Sequence, residues 1–184
     1  MLSLGYNRGM DQKPFLQTGQ PAPDFSLPDM EGHVYSTGDY RGQIVIINFW
    51  SAECPWSQRC DEQIIDLLQD WDAEVQYLPV ASNRNEAFEL VKDVADERQL
   101  PVMLHDPDQK AADLYGAVTT PHIFVIDPDG ILRYQGAIND VSFRQPEPTV
   151  NYLQQAVEAL RSGSLPDPHE IPSFGCTIVR ALPQ

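Results

Sequence analysis

The chain has 184 residues, 12 of them Lys or Arg and 27 Asp or Glu, so its formal net charge is −15 at neutral pH. Its 42% hydrophobic and 21% charged content fits one folded domain with short extensions and is too apolar for a disordered chain. An acidic surface repels nucleic acid and anionic membrane, the basic residues are scattered singly from Arg8 to Arg180, and no apolar run nears the roughly 20 residues that span a bilayer, so none of these partners is expected.

Residues 1–20 lack periodicity and read as a loose arm. They contain no apolar stretch behind a basic start, so no signal peptide is visible and a cytoplasmic setting is expected. The fold begins at PAPDFSL. Glu31-Gly32 supplies a turn for an edge hairpin across DMEGHVYS. The run RGQIVIINFWS is continuously apolar, as a strand buried on both faces must be, and is the predicted central strand. After Pro55 the residues Ile64, Ile65, Leu67, Leu68 and Trp71 recur at helical spacing. EVQYLPVAS is a second strand, NEAFELVKDVADERQL a helix, PVMLHD a short strand, and DQKAADLYG a short helix closed by Gly116. Alternation of strand and helix implies parallel pairing. HIFVID and ILRYQGAI then flank Pro128-Asp129-Gly130, a strong hairpin signal, and VNYLQQAVEALRSG gives a last amphipathic helix. The expected architecture is α/β: a central mixed β-sheet flanked by helices over residues 21–162, with an N-terminal β-hairpin extension and a C-terminal tail, 163–184. The tail is Pro-rich and reads either as a linker or as an arm across the body.

Three cysteines, Cys54, Cys60 and Cys176, are too few for a disulfide scaffold. Cys54 lies where the central strand hands over to a helix. Free backbone N–H groups and the helix dipole there favour a thiolate, and they mark Cys54 as a nucleophile candidate. Glu53 opposes that effect and Arg59 can offset it; the alternative is a buried, inert thiol. Ser51 and Ser57 flank the sulfur as hydrogen-bond candidates. Pro55 suits the first helical turn, where its missing N–H costs nothing, and Trp56 borders a groove beside the sulfur. The four histidines, including His122 next to Pro121, show no metal-ligand spacing, and no phosphate loop is present, so neither metal nor cofactor is expected.

The sequences FWSAECP and, some 60 residues on, TTPHIFVIDPDG together resemble the thioredoxin superfamily, in particular the redoxin or AhpC/TSA family, which is peroxiredoxin-like, with TlpA-like thioredoxin features. The resemblance covers about residues 20–162 and implies a thioredoxin-like sandwich. It also implies a cis Pro121 beside Cys54, offering the backbone of Thr120 to an extended substrate; an ordinary trans proline at a strand start is the alternative. Several positions depart from the family. Ser57 replaces the second Cys of C-x-x-C, and Asn48 stands where thioredoxin has a buried Asp. Of the peroxiredoxin residues, Ser51 replaces Thr, Ile47 replaces Pro, and Pro121 falls where the partner Arg would be, with Arg133 or Arg59 as conceivable substitutes.

A resolving thiol must then come from elsewhere. Cys60 is six residues along the helix, a rise of about 9 Å and a rotation of about 240°. A disulfide needs Cα atoms within about 7 Å, so an intact helix forbids that bond and only local unwinding would permit it. Cys176, in PSFGCTI, is free to approach from the tail, and some redoxin-family proteins resemble this one in their Gly-Cys-x-Ile segment; a Cys tucked under the sheet is the alternative. The expected function is a thiol-dependent oxidoreductase acting on a protein or small-molecule disulfide or on a hydroperoxide, with an external thiol reductant, a homodimer being left open. The alternatives are a peroxiredoxin-type peroxidase, resolved by Cys176 or Cys60, and a redox-silent binding module.

Overall fold

A computed structural model describes residues 16–180. Its centre is strand β3, Ile44–Trp50, in which every residue is buried. Val45, Ile47 and Phe49 face one hydrophobic cluster, Ile44 and Ile46 the other. Each such buried side chain contributes roughly 1.5–3 kcal/mol through removal of apolar surface from water. Asn48, the polar exception, donates through Nδ2 to the Tyr77 hydroxyl at 2.9 Å.

The neighbouring strands are β4 (Val75–Ala81), parallel to β3, and β7 (His122–Ile126), antiparallel to it. With β5 (Leu104–His105) and β8 (Leu132–Gly136) they form a five-stranded mixed sheet in the order β5-β4-β3-β7-β8. Helix α1 (Pro55–Trp71) sets Ile64 and Trp71 on one face, together with Leu153, Ala156 and Val157 of α4 (Tyr152–Arg161). Helix α3 (Lys110–Tyr115) covers the other face with Ala111, Ala112 and Tyr115. Gly116 ends α3 at φ +63°, a left-handed conformation that a Cβ would disfavour.

The hairpin of β1 (Ser26–Pro28) and β2 (Val34–Ser36) forms at the expected place. Its turn is fixed by the Asp29 carboxylate, which accepts from the N–H groups of Glu31 and His33 at 2.9 and 2.8 Å. Asp127 does the same for the β7–β8 turn, accepting from Asp129 and Ile131. Helix α2 (Phe88–Glu97) begins three residues later than its pattern predicts. The preceding Glu86 turns its carboxylate inward onto another loop, which keeps residues 83–87 out of the helix.

The C-terminal tail is an arm, not a linker. Ile171 N–H donates to Gln135 O and the Gln135 N–H to His169 O, so the arm runs along β8. It approaches so closely that a Cβ on Gly136, at φ +135°, would lie 1.8 Å from Ile171 O. Farther on, β9 (Cys176–Thr177) pairs antiparallel with the short strand β6 (Thr119–Thr120). Ile178 is buried in the core, and Val179 N–H reaches Asn83 Oδ1 at 2.9 Å. At the other terminus, Gly19 and Gln20 exchange hydrogen bonds with Leu132. The rest of the segment expected to be loose, residues 1–15, lies outside those described. Among the described residues no helix is long and apolar enough to cross a membrane.

Candidate active site

Cys54 occupies the cap position of α1, its carbonyl accepting from Gln58 N–H at 3.1 Å. Pro55 is the first helical residue, where it has no hydrogen bond to lose. The loop from Ser51 to Glu53 is held by a residue 35 positions from its start. Glu86, only 7% exposed, accepts from the Ser51 hydroxyl, from the N–H groups of Ala52 and Glu53, each at 3.2 Å, and from Asn83 Nδ2. The Ser51 hydroxyl is therefore committed to Glu86 and does not serve the sulfur, contrary to expectation. Arg98 closes the loop from the other side, donating to Ala52 O at 2.9 Å and pairing with the buried Asp61.

Cys54 is 2% exposed, and its sulfur lies against the Thr120–Pro121 segment, whose peptide bond is cis. As a thiol, Cys54 donates to Thr120 O at 3.0 Å. The backbone of Thr120, expected to be open to a substrate, is covered instead: β9 of the arm pairs with it, setting Cys176 opposite Thr120. The two thiols are within hydrogen-bonding reach of each other.

Burial pushes the Cys54 pKa up, but the polar groups around it outweigh that effect and bring it below the ordinary thiol value. They are the Cys176 thiol, the Ser57 N–H and the Cys176 N–H, with the Thr120 side chain adding to them. Ser57 thus acts through its amide, the third of the helix, in the way a cap side chain is normally satisfied; its buried hydroxyl has no partner. The Cys176 thiol is pushed up to about 12 by burial, by its hydrogen bond to Cys54, and by the charges of Cys54 and Glu86.

Cys60 sits in unbroken α1 within the core cluster of Ile64 and Trp71, and burial beside Asp61 pushes its thiol up to about 12. The geometry does not bring it to Cys54 as a partner. Trp56 lines the edge of the site, stacked edge-on against Phe174 of the arm at 4.9 Å and against Phe143 at 5.9 Å. Glu53 faces Asn85, Arg59 is engaged by Pro146 O and Glu147, and Arg133 by Asp127. His122 packs on Phe124, and burial lowers its pKa to about 4. Among the described residues, no three His, Cys, Asp or Glu side chains are grouped to hold a metal.

Sequence reasoning missed Glu86 and Phe174, and took Gly175 only as a residue that lets the tail swing toward the site. A Cβ on Gly175 would lie 2.0 Å from Thr120 O and 3.1 Å from Pro121 Cδ, so the arm meets the site at a point where only glycine fits. The adjacency of Gly175 to Cys176 was the one available signal; for Glu86 there was none.

The sequence matches the profile of the AhpC/TSA family over residues 18–135. The thiol:disulfide interchange protein DsbE of Allochromatium vinosum is 28% identical over 118 residues, 63% of this chain and 64% of that protein, so the chain spans just under two thirds of its length. The thiol-disulfide oxidoreductase ResA of Geobacillus kaustophilus is 30% identical over 131 residues, 70% of this chain and 74% of that one. Among solved structures, an uncharacterized conserved protein from Geobacillus kaustophilus superposes with a TM-score of 0.84 at 25% identity, covering 93% of this chain and 96% of the other.

Proposed function

Because the chain belongs to the AhpC/TSA family of the thioredoxin superfamily, we propose that it is a thiol–disulfide oxidoreductase with Cys54 as nucleophile and Cys176 as resolving thiol. The observation that carries this reading is the placement of Cys176 opposite Thr120, in hydrogen-bonding reach of a Cys54 whose thiolate is favoured. The Cys54 thiolate attacks one sulfur of a substrate disulfide, forming a mixed disulfide and releasing the other sulfur as a thiolate, which takes up a proton. Once Cys54 is bonded, its negative charge no longer raises the Cys176 pKa. Cys176 gives up its proton and attacks the Cys54 sulfur, forming the Cys54–Cys176 disulfide and expelling the second substrate thiol. An external thiol reductant, two equivalents per turnover, restores both cysteines. The low Cys54 pKa makes it the better leaving group in that last step.

A hydroperoxide substrate has less support. The Ser51 hydroxyl is given to Glu86, Ile47 stands in place of proline, and Arg59 and Arg133 are held by other acceptors. A redox-silent binding role has no use for the paired thiols. The test is oxidation with one equivalent of oxidised glutathione followed by non-reducing peptide mapping. A Cys54–Cys176 linkage is expected. Glutathione retained on Cys54 without that linkage, or no reaction at Cys54, would reject the assignment.

A further inference from the structure

We propose that residues 174–177 of the arm sit, as a tethered strand, in the place of an extended polypeptide substrate, so that a polypeptide disulfide reaches Cys54 only when the arm lifts. This rests on Cys54 being the nucleophile, as argued above. The edge in question is Thr119–Thr120, and its backbone is already paired with Cys176 and Thr177. A second chain adding a strand there needs the same N–H and C=O groups. The space is consumed as well as the hydrogen bonds: Gly175 packs so tightly on Thr120 and Pro121 that a Cβ would overlap the carbonyl. Beside it, Phe174 fills the aromatic notch made by Trp56 and Phe143.

The segment is held differently from its flanks. Ile178 is buried and Val179 is bonded to Asn83 and Arg84, while Ile171 is bonded to Gln135. Between these anchors, the docked strand is a two-residue ladder, two ring contacts of Phe174 and the contact of Cys176 with Cys54, and Pro172 is exposed. Short, partly exposed ladders open locally at low free-energy cost. The anchors keep Cys176 close while the middle lifts.

Docking of the arm and release of the substrate are then one event. With Cys54 in a mixed disulfide to a polypeptide, the returning arm competes for Thr119–Thr120 and brings Cys176 to the Cys54 sulfur. As the Cys54–Cys176 bond forms, the substrate sulfur leaves as a thiolate and takes a proton. The oxidised protein has the arm covalently fixed on the groove and excludes further polypeptide. Reduction leaves only non-covalent contacts, namely the ladder, the two ring contacts of Phe174 and the hydrogen bond between the thiols.

The test uses variants carrying Cys60→Ala and Cys176→Ser, in which only Cys54 reacts. Two probes release the same chromophore: 5,5′-dithiobis(2-nitrobenzoate), and a synthetic peptide of residues 172–179 whose cysteine carries 2-nitro-5-thiobenzoate. Gly175→Ala, added to this background, forces the strand off, and Phe174→Ala weakens it in case the first variant folds poorly. The peptide probe is expected to react about tenfold faster with Gly175→Ala than with its parent, with a smaller gain for the small probe, and Phe174→Ala is expected to fall between. Equal gains for both probes, or no gain in either variant, would overturn the inference. Absence of chromophore release from both probes in every variant would instead reject Cys54 as the nucleophile.

Discussion

At the level of single residues, the chemistry depends on how many donors meet one sulfur. Three are the Cys176 thiol and the N–H groups of Ser57 and Cys176, and the first lowers the Cys54 pKa most. Replacing Cys176 with Ala removes that donor, so the Cys54 pKa should rise toward the ordinary value near 8.5. Iodoacetamide alkylation as a function of pH measures this directly: the midpoint is expected below about 8.5 in the Cys60→Ala protein and higher in Cys60→Ala/Cys176→Ala. An unchanged midpoint would mean that the amides alone hold the anion. Glu86 offers a second prediction. Its carboxylate accepts from a hydroxyl, two backbone amides and a side-chain amide, and Gln in its place must turn an NH2 group toward one of those donors. Leaving buried donors unmatched costs about 1–3 kcal/mol, so Glu86→Gln should lower the unfolding free energy measured in urea by that amount. Cys54 was legible because a reactive thiol at a strand-to-helix junction carries its own neighbours in sequence. The role of Ser51 was not, because its partner is a carboxylate 35 residues away whose direction no local pattern encodes.

At the level of elements, periodicity located β3, β4, β7, β8, α1 and α4, since each buries a whole face and the apolar spacing records which face. The arm was ambiguous for the opposite reason. It is held by backbone hydrogen bonds to Gln135, Val118 and Thr119–Thr120 and by isolated side chains such as Phe174 and Ile178, so no repeating pattern announces it. What the sequence does contain is glycine at two of the places where the arm touches down. Gly136 has φ +135° and faces Ile171 O at a distance no Cβ can occupy. Gly136→Ala must therefore push the arm away from β8 or distort the strand. The expected outcome is a lower unfolding midpoint together with new proteolytic cleavage between residues 165 and 175. A stable variant with unchanged cleavage would show that the arm is fixed elsewhere, at Ile178 and Val179.

At the level of the whole molecule, the thiols bind protons in opposite senses, and this sets how stability varies with pH. Cys54 has a lowered pKa, so the unfolded chain holds its proton to higher pH than the folded one. That contribution is present above the unfolded thiol pKa and is lost as pH falls through the folded value. Cys60 behaves oppositely. The residue is 8% exposed and its thiol is pushed up to about 12, so above roughly pH 9 unfolding releases a proton that the folded state retains. Stability from Cys60 is intact below the ordinary thiol pKa and declines as pH rises toward 12. Each fully titrated thiol withdraws about 1.4 kcal/mol per pH unit across that window. The formal charge of −15 adds self-repulsion, which grows as further anions form. Urea unfolding from pH 8 to 11 separates the two effects. Both the parent and Cys60→Ala should weaken with rising pH through general repulsion and through the raised Cys176 thiol that both retain, but the parent should lose more. Cys60→Ala starts lower, because the cavity it leaves beside Ile64 destabilises at every pH, and the gap between the two proteins should narrow as pH rises. A constant gap would mean that Cys60 titrates alike in both states, and that the core around Trp71 admits enough water to solvate a thiolate.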